Sequence, residues 1–318
     1  MNRFYFLICL PNREHIIVHL SDLHFGEKQD VDKYRLQLRT DLIKTFNKEK
    51  IDYLVVSGDL TNYSSKQEFQ YANDFLNSVI CVFQVSTNAI VIVPGNHDLD
   101  WAVCKNAMDA TEIINKSLYQ KKFDNFNNYL YSKILDKKYS KKVEEQGDVN
   151  INDEDRIIFM GLNSAWEIDH LNKKRASINL SALSFQLDKI FSKKYDDYLK
   201  IAIFHHPVIG EEQMNNDFMD LLVIHGFKIC MHGHIHQSQN SYFSYDIKKG
   251  IHIIGAGTFG APHKEQRAGI PLQYNIIELY NNEITVHTRK KEKVNGIWEA
   301  DCRWGDKERP VSHFTIKL

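Results

Sequence analysis

The chain has 318 residues, of which 43% are hydrophobic and 25% are charged, and its formal net charge is −1. This composition is ordinary for a globular protein, and the balanced charge argues against a surface that attracts nucleic acid over its whole extent, while leaving room for a local basic groove. The five cysteines are scattered and form no C-x-x-C pair, which argues against a disulfide framework or a zinc ribbon and favours a reducing cytoplasm.

The first feature along the chain is a short apolar run, Phe4 to Leu10. It is too short for a bilayer span, which needs about 20 apolar residues, and too short for the core of a secretory signal. We therefore expect a first strand or a hydrophobic arm here. No other stretch is long enough to span a bilayer, so no integral membrane segment is expected.

The first hundred residues alternate between short apolar runs and segments of helical periodicity. Strands are predicted at 15–22, 51–59 and 89–98, and helices at 33–50 and 64–80, the second of which starts at a serine with a glutamate in its first turn. This alternation predicts βαβ units and a largely parallel sheet. Ligand sites in open α/β sheets gather at the carboxyl ends of the strands.

Residues 101–155 interrupt the alternation. Lysines and aromatic residues recur at helical spacing over 121–142, and an acidic stretch follows at 144–155. The segment is interpreted as a helical insert that ends in a solvated turn. It could cover a site, track single-stranded nucleic acid by stacking and charge, pack against a protein partner or a second copy, or be no more than a surface helix pair.

The α/β pattern then resumes, and the chain ends in short strands with hairpin signals. Strands and helices alternate at 156–165, about 181–193, 198–207, 213–225 and 227–236. The sequence Tyr-Asn-Asn-Glu at 280–283 indicates a hairpin turn. Because no repeat or low-complexity linker is present, we expect a single domain over 1–318, with the insert at about 101–155 and a β-rich tail at about 240–318.

Five polar motifs follow predicted strands, and each offers carboxylate, imidazole or amide groups that bind metal ions. In chain order the candidate residues are Asp22, His24, Asp59, Asn96, His97, Asp98, His205, His206, His232, His234 and His236. Residues two apart in an extended segment point the same way, so Asp22 and His24 should reach one ion together, as should His234 and His236. Asp59 has two carboxylate oxygens and could bridge two ions. A single motif of this kind is most often part of a turn or contains a histidine that is merely buried in the core. The occurrence of all five motifs in order, each at the end of a predicted strand, favours a metal site.

The ordered motifs D-x-H, G-D, G-N-H-D, H and G-H-x-H resemble the signature of the calcineurin-like metallophosphoesterases, most closely their bacterial phosphodiesterase-like branch. They span residues 22–236. The resemblance implies an α/β fold, a four-layer α-β-β-α sandwich, and two divalent metal ions, with manganese or iron favoured over zinc, nickel or cobalt. It implies that one ion takes Asp22, His24, Asp59 and His236, and that the other takes Asp59, Asn96, His205 and His234.

Two such ions would generate a bridging hydroxide for in-line attack on phosphorus and would neutralise the developing charge. The resemblance gives His97 the role of protonating the leaving oxygen, with Asp98 holding its ring. His206 is expected to lie behind a ligand or to face the substrate. His225 and His232 are expected to be structural.

The motifs do not distinguish the substrates of this family. The preferred prediction is a phosphodiesterase acting on a nucleotide, a cyclic nucleotide or a nucleic acid. The alternatives are a metal-dependent DNA or RNA nuclease, a phosphomonoesterase or pyrophosphatase, and a non-catalytic binding protein, against which the intact ligand set argues. Candidate substrate contacts are Asn62, His206, His263 and Arg267.

Overall fold

The apolar runs of the sequence form two mixed β-sheets that pack face to face, with helices on their outer sides. This is the four-layer α-β-β-α sandwich that the family resemblance implied. The computed structural model describes residues 13–108, 113–246, 249–262 and 268–318. The N-terminal run Phe4 to Leu10 lies outside the described residues, so its assignment as a strand or an arm stays a prediction.

Among the described residues, the strands in chain order are β1 His15–Leu20, β2 Tyr53–Val56, β3 Ile90–Ile92, β4 Gly147–Asn152, β5 Ile157–Leu162, β6 Leu199–Ile203, β7 Phe227–His232, β8 Gln239–Asp246, β9 Lys249–Gly255, β10 Leu272–Tyr280, β11 Glu283–Lys291, β12 Glu299–Ala300, β13 Trp304–Gly305, β14 Pro310–Val311 and β15 His313–Lys317. The helices are α1 Lys28–Thr40, α2 Lys66–Phe83, α3 Trp101–Asn106, α4 Lys116–Tyr119, α5 Asp124–Phe126, α6 Ser132–Leu135, α7 Leu180–Asp188 and α8 Met219–Ile224. In the part of the chain described, no helix has both the length and the apolar character that crossing a bilayer requires.

The first sheet has the order β12-β11-β10-β1-β2-β3, and β15 also pairs with β11. Strands β1, β2 and β3 are parallel, whereas β10 pairs antiparallel with β1. All six residues of β1 are buried, as expected for a central strand covered on both faces. Asn281 and Asn282 join β10 to β11 with φ of +49° and +59°, which confirms the predicted hairpin turn.

The second sheet has the order β4-β5-β6-β7-β9-β8. Its four inner strands are parallel, and β4 and β8 are antiparallel edges. The two sheets contact each other closely, since the ring centroids of Tyr53 and Phe159 are 4.8 Å apart. A β-carbon on Gly161 would lie 3.0 Å from the Val93 side chain, so a residue without a side chain lets the sheets approach.

The prediction of a solvated turn over 144–155 is wrong for its central part. Residues 147–152 form β4, which pairs antiparallel with β5. Its residues are half-buried, and the Asn150 amide donates a hydrogen bond to the Ile90 carbonyl (2.7 Å), which links the edges of the two sheets. The prediction of a largely parallel sheet is correct for β1 to β3 and for the four inner strands of the second sheet. The C-terminal strands β10 and β11 extend the first sheet in antiparallel fashion, and β4 and β8 form antiparallel edges of the second.

The helical insert packs its aromatic side chains inward against α2. Phe123, Phe126 and Tyr131 are buried, and the ring centroid of Phe126 lies 6.0 Å from that of Phe69 in α2. These rings belong to the hydrophobic core, so they do not form an exposed platform on which bases could stack. The predicted contact of the insert with single-stranded nucleic acid therefore lacks its aromatic component.

Helix α2 begins with a reciprocal cap. The Glu68 N–H donates to the Ser65 hydroxyl (3.2 Å), and the Ser65 N–H donates to the Glu68 carboxylate (3.0 Å). Because Ser65→Ala removes one half of this cap, we expect it to lower the free energy of unfolding by about 1 kcal/mol in urea denaturation. Ser78→Ala is the matched control within the same helix, where alanine is well tolerated. Equal losses in both variants would contradict the capping role.

Candidate metal centre

The polar motifs lie in loops that follow neighbouring strands, and these loops stay hydrogen-bonded to one another beyond the strand ends. In the first sheet the Asp22 N–H donates to the Gly58 carbonyl (3.0 Å), and in the second the Gly233 N–H donates to the His205 carbonyl (3.0 Å). The His234 N–H donates to Asp22 Oδ2 (3.1 Å) and thus joins the two sheets. The carboxyl ends of both sheets therefore meet at one site.

Several predicted ligands have left-handed backbones, with φ between +48° and +67°: Asp22, His24, Asp59, His234 and His236. The prediction that Asp22 and His24 point the same way from extended backbone is therefore wrong, because neither residue is extended. A left-handed residue other than glycine costs on the order of 1 kcal/mol, and such strain is concentrated at functional sites. Here it lets side chains two residues apart turn out of the strand direction.

The structure brings ligand atoms of the predicted residues together in three overlapping groups, within each of which these atoms lie within 4.8 Å of one another. The groups are Asp22–His24–His236, Asp22–Asp59–His205 and His205–His206–His234. Because Asp22 and His205 each belong to two groups, the three form one continuous cluster. His234 and His236, whose spacing predicted that they would reach one ion together, fall in different groups.

Asp59 belongs to the middle one of these groups, together with Asp22 and His205. Its Oδ1 accepts a hydrogen bond from the His97 N–H (2.8 Å), and its Oδ2 lies 3.0 Å from His205 Nε2. The neighbouring Asn96 has a buried Oδ1 that, within the described part of the chain, has no hydrogen-bond partner. A β-carbon on Gly95 would collide with the Asp59 carboxylate, so only glycine allows this approach.

The cluster is closed on the strand side and opens to solvent near the H-x-H motif. The side chains of Asp22, Asp59 and His205 are at most 2% exposed, whereas those of His234 and His236 are 24% and 13% exposed. An anionic substrate would therefore approach past the last two histidines.

The ring of His205 is oriented by the backbone of the neighbouring loop. Its Nδ1 lies 2.7 Å from the Ser57 carbonyl, which can only accept, so Nδ1 carries the proton and Nε2 faces Asp59. Metal-binding histidines commonly have this arrangement, with one ring nitrogen donating to a carbonyl and the other left for the ion. Gly58 is required beside it, because a β-carbon there would lie 2.6 Å from His205 Nδ1.

His206 lies closer to the cluster than the sequence prediction placed it. Its ring centroid is 4.4 Å from that of His234, and its Nδ1 lies 2.8 Å from the Ser164 hydroxyl. Ser164 Oγ also accepts hydrogen bonds from the His205 N–H (3.2 Å) and the His206 N–H (3.1 Å). Sequence reasoning missed Ser164, which lies within the strand predicted at 156–165 but follows the end of β5 in the structure.

The protonation of the cluster suits cation binding. Although burial favours the neutral acid, the neighbouring imidazoles hold the pKa of Asp22 and of Asp59 below the usual range. Burial and the adjacent rings lower the pKa of His206 and bring that of His234 to about 3. Burial also opposes protonation of His205, but the attraction of the Asp59 carboxylate outweighs burial and raises the pKa of His205 to about 9.

His97 is held by Asn62 and not by Asp98. Its Nδ1 lies 2.9 Å from the Asn62 carbonyl, so Nδ1–H donates there. The ring is 4.9 Å from that of His24, in edge-on orientation, which places it beside the cluster. The Asn62 amide, a candidate substrate contact, instead donates to the His24 carbonyl (3.0 Å).

Asp98 supports the loops around the site. Its carboxylate accepts hydrogen bonds from the backbone N–H groups of Leu60 (2.9 Å), Thr61 (3.1 Å) and Gly95 (2.9 Å). The predicted contact with the His97 ring is therefore replaced by a link between the G-D and G-N-H-D loops. Burial, together with the negative charge of Asp59, raises the pKa of Asp98 to about 7 against the effect of these donors.

The loop after β9, a predicted substrate contact, divides into two parts. In the first part the Thr258 hydroxyl and the Gly260 N–H donate to the Asp22 carbonyl, at 3.0 and 3.1 Å, and thereby hold the D-x-H loop in place. The second part includes His263 and Arg267, which lie outside the described residues.

His232, which is expected from the sequence to be structural, is buried, and its Nε2 lies 3.1 Å from Gln239 Oε1.

The donor set fits divalent metal ions. It combines ionised carboxylates, neutral imidazoles, a histidine ring fixed by a backbone carbonyl, and an amide oxygen without a partner in the described chain. Without cations, so many buried donors and acceptors so close together would be costly. Mixed nitrogen and oxygen donors suit manganese, iron, cobalt, nickel and zinc.

Comparison with solved structures finds related folds. The chain resembles the structure of purple acid phosphatase PPD1 from yellow lupin (Lupinus luteus) seeds with 12% identity and a TM-score of 0.54, covering 96% of this chain and 54% of that one. It resembles the structure of PhoD with 10% identity and a TM-score of 0.56, covering 90% of this chain and 68% of that one. The chain thus spans about half the length of the lupin phosphatase chain. At these identities the likeness shows the fold alone.

A search among curated proteins found no match to this chain. The family model of the calcineurin-like phosphoesterases matches residues 15–238, which include every motif of the cluster. The match covers well over half of the sequence and agrees with the fold of the two solved structures. The chain therefore belongs to the calcineurin-like phosphoesterase family.

Proposed function

We propose that the chain hydrolyses phosphodiesters of nucleotides or nucleic acids at a centre of two divalent ions. The observation that carries the proposal is the cluster of carboxylates and imidazoles on strained backbone where both sheets end. Family membership supports a hydrolase of phosphoric esters. The preference for diesters rests on the resemblance of the D-x-H and G-D motifs to the bacterial phosphodiesterase-like branch.

The proposed ligands divide into two sets that share Asp59: Asp22, His24, Asp59 and His236 for one ion, and Asp59, Asn96, His205 and His234 for the other. His206 is a further candidate for the second set, because it lies in the group with His205 and His234. Bound there, manganese or iron would act as a Lewis acid that lowers the pKa of water and neutralises charge on phosphoryl oxygens. The ring of His205 must give up its Nε2 proton, whereas burial and the adjacent rings lower the pKa of His206 and His234 and keep them neutral.

His97 is the proposed proton donor to the leaving oxygen. Because its Nδ1–H donates to the Asn62 carbonyl, the ring is fixed, and Nε2 is the ring nitrogen that would deliver the proton. Asn62 and Asp98 then act by positioning: the first holds the ring, and the second holds the two loops that carry Asp59 and His97.

The test is a comparison of bis(p-nitrophenyl) phosphate with p-nitrophenyl phosphate in the presence of manganese. We expect faster release of p-nitrophenol from the diester. Preference for the monoester would instead favour the alternative of a phosphomonoesterase. Two bound ions without cleavage of either ester would favour a non-catalytic binding protein and would contradict the proposal.

A nuclease acting on long chains is a second candidate, and the buried insert argues against it. Nucleic-acid binding through phosphate contacts falls steeply with salt. With the insert aromatics buried, we expect weak binding of single-stranded DNA and RNA compared with mononucleotides. Binding of long single strands that is tight and strongly salt-dependent would revive the nuclease.

We also propose a reducing compartment, the cytoplasm, as the place of action. The cysteines that the structure describes are free thiols: Cys81, Cys104, Cys230 and Cys302. Burial raises the pKa of Cys104 to about 11 and also raises that of Cys230, so neither has the thiolate character that reactivity requires.

Metal affinity is expected to rise with pH. Because the His205 ring has a pKa of about 9 in the metal-free protein, it is protonated at neutral pH and must release that proton when Nε2 binds an ion. Between pH 6 and 8.5, Kd for manganese should therefore fall by about tenfold for each pH unit. Isothermal titration in buffers of different ionisation enthalpy would count the released proton.

The control for this measurement is His205→Asn, which keeps a neutral side-chain donor and has no proton to lose. Its manganese affinity should be weaker and nearly independent of pH over the same range. An unaltered protein with pH-independent affinity would contradict the assignment of the proton to His205.

A further inference from the structure

A cavity of about 500 Å³ opens beside the exposed side of the cluster. His206 and His234 line it, and so do Lys173 and Lys174, from the loop between β5 and α7. A volume of this size holds a ligand such as a nucleotide. The two lysines therefore border the space that a substrate must enter to reach the histidines.

Within the described residues these lysines form no ion pair. Lys173, Lys174 and the adjacent Arg175 are exposed, and none of the three forms a salt bridge within the described part of the chain. By contrast, Lys194 pairs with Asp153 at 2.8 Å. A run of unpaired cations at the mouth of a cavity attracts an anion and can donate several hydrogen bonds to it.

The loop that carries the lysines is hydrogen-bonded to the helical insert. Lys122 is buried, and its ammonium group donates to the carbonyls of Trp166 (2.5 Å) and Ile168 (3.0 Å). Because a buried ammonium group needs hydrogen-bond partners, these two contacts hold the start of the loop in place. The insert thus supports this wall of the cavity.

A second anchor lies directly before the lysines. The Asp169 carboxylate accepts hydrogen bonds from the N–H groups of Leu171 and Asn172, both at 2.9 Å, and from the hydroxyl of Tyr119 (3.0 Å). Because Tyr119 belongs to α4 of the insert, the loop is fixed on both sides of Asp169. Preorganised cations bind an anion at a lower entropic cost than mobile ones.

We propose that Lys173 and Lys174 form a second anion subsite, which binds a phosphate of the substrate other than the one under attack. The inference rests on the proposed function, because the scissile phosphate must lie at the histidine cluster. It narrows the substrate class to nucleotides that carry an additional phosphate. The insert residues Tyr119 and Lys122 are positioning residues for this subsite.

The remaining lining of the cavity fits a nucleotide. Glu211 and Glu212 also border it, and Glu212 Oε2 lies 3.4 Å from His234 Nε2. Carboxylates repel phosphate and accept hydrogen bonds from sugar hydroxyls. The second phosphate is thereby confined to the lysine side of the cavity.

The test uses two esters that both release p-nitrophenol. They are thymidine 5′-(p-nitrophenyl phosphate) with a 3′-phosphate and the same ester with a free 3′-hydroxyl. We expect the unaltered enzyme to have a kcat/KM about tenfold higher for the 3′-phosphorylated ester, mainly through KM. In Lys173→Gln/Lys174→Gln this ratio should fall to about one, mainly through a higher KM for the 3′-phosphorylated ester. A ratio of one in the unaltered enzyme, or an unchanged ratio in the variant, would overturn the inference while the proposed function stands.

A binding measurement separates the two proposals if neither ester is cleaved. Manganese-loaded protein is titrated with thymidine 3′,5′-bisphosphate and with thymidine 5′-monophosphate. The double variant should lose about tenfold in affinity for the bisphosphate only. Equal affinity of variant and unaltered protein for the bisphosphate would overturn the subsite, whatever the turnover.

Two further variants test whether positive charge at residues 173 and 174, and not the net charge of the protein, causes the preference. Lys173→Arg/Lys174→Arg should retain most of the preference for the second phosphate, because arginine also binds phosphate. Lys44→Gln/Lys50→Gln removes two exposed lysines before the start of β2, at the far end of the sheet from the cluster, and should change neither ratio nor affinity. A loss of preference in this control would mean that net charge, and not the subsite, is responsible.

Discussion

Asp59→Asn is expected to lower turnover by orders of magnitude and to remove at least one bound ion. Asp59 lies at the centre of the cluster, with Oδ2 3.0 Å from His205 Nε2 and Oδ1 held by the His97 N–H at 2.8 Å. The amide removes the negative charge and one of two donor oxygens, so neither proposed ion keeps its shared ligand. We expect bis(p-nitrophenyl) phosphate turnover to fall by about 10³-fold.

Metal content by mass spectrometry and initial rates with added manganese would measure the two effects separately. Asp188→Asn, at an exposed position at the end of α7, is the matched control and should leave both unchanged. Circular dichroism would verify that both variants fold. An Asp59→Asn protein with full metal content and a rate within tenfold of the unaltered enzyme would contradict the bridging role.

His97→Ala is expected to retain both ions and to lose about 100-fold or more in turnover of esters with poor leaving groups. The ring is fixed by the Asn62 carbonyl and lies beside His24, but it belongs to none of the three ligand groups. The backbone N–H of residue 97 still reaches Asp59 after the substitution, so the cluster should persist.

Dependence on the leaving group distinguishes proton donation from simple disruption. A nitrophenolate needs no proton to depart, whereas an alkoxide does, so the loss should be much larger for an alkyl diester than for a nitrophenyl diester. His225→Ala, before the start of β7 and away from the cluster, is the control. Loss of metal in His97→Ala, or an equal loss with both esters, would contradict the assignment.

The order of the elements and the identity of the clustered side chains could be predicted from the sequence. Apolar runs such as β1 and β2 are buried on both faces, and each ends at a polar motif, so their carboxyl ends had to share one edge. The Ser65–Glu68 start of α2 and the Asn281–Asn282 turn are short-range signals with a direct physical cause.

The orientation of the site residues could not be predicted in the same way. The rings of His97 and His205 are held by the backbone carbonyls of Asn62 and Ser57, which leave no trace in a side-chain pattern. Left-handed backbone at Asp22 and His24 breaks the alternation that extended chain would give. The site therefore violates the local rules on which the sequence argument depends.

Contacts between segments that are distant in the sequence could not be predicted from the sequence either. Strand β4 carries polar residues and resembles a loop, yet it completes an edge because Asn150 finds a partner on Ile90. The lysines of the insert resembled a solvated or nucleic-acid-binding face, yet Lys122 is buried and holds the 166–168 loop. Only the tertiary structure assigns these polar residues to the interior.

The measurement that tests the central claim most directly is manganese titration of the metal-free protein, followed by electron paramagnetic resonance. We expect two ions per chain and an exchange-coupled spectrum, because two ions that share Asp59 would lie about 3.5–4 Å apart. A single isolated manganese signal, or the absence of tight binding at any pH between 6 and 8.5, would contradict a two-ion centre at the strand ends.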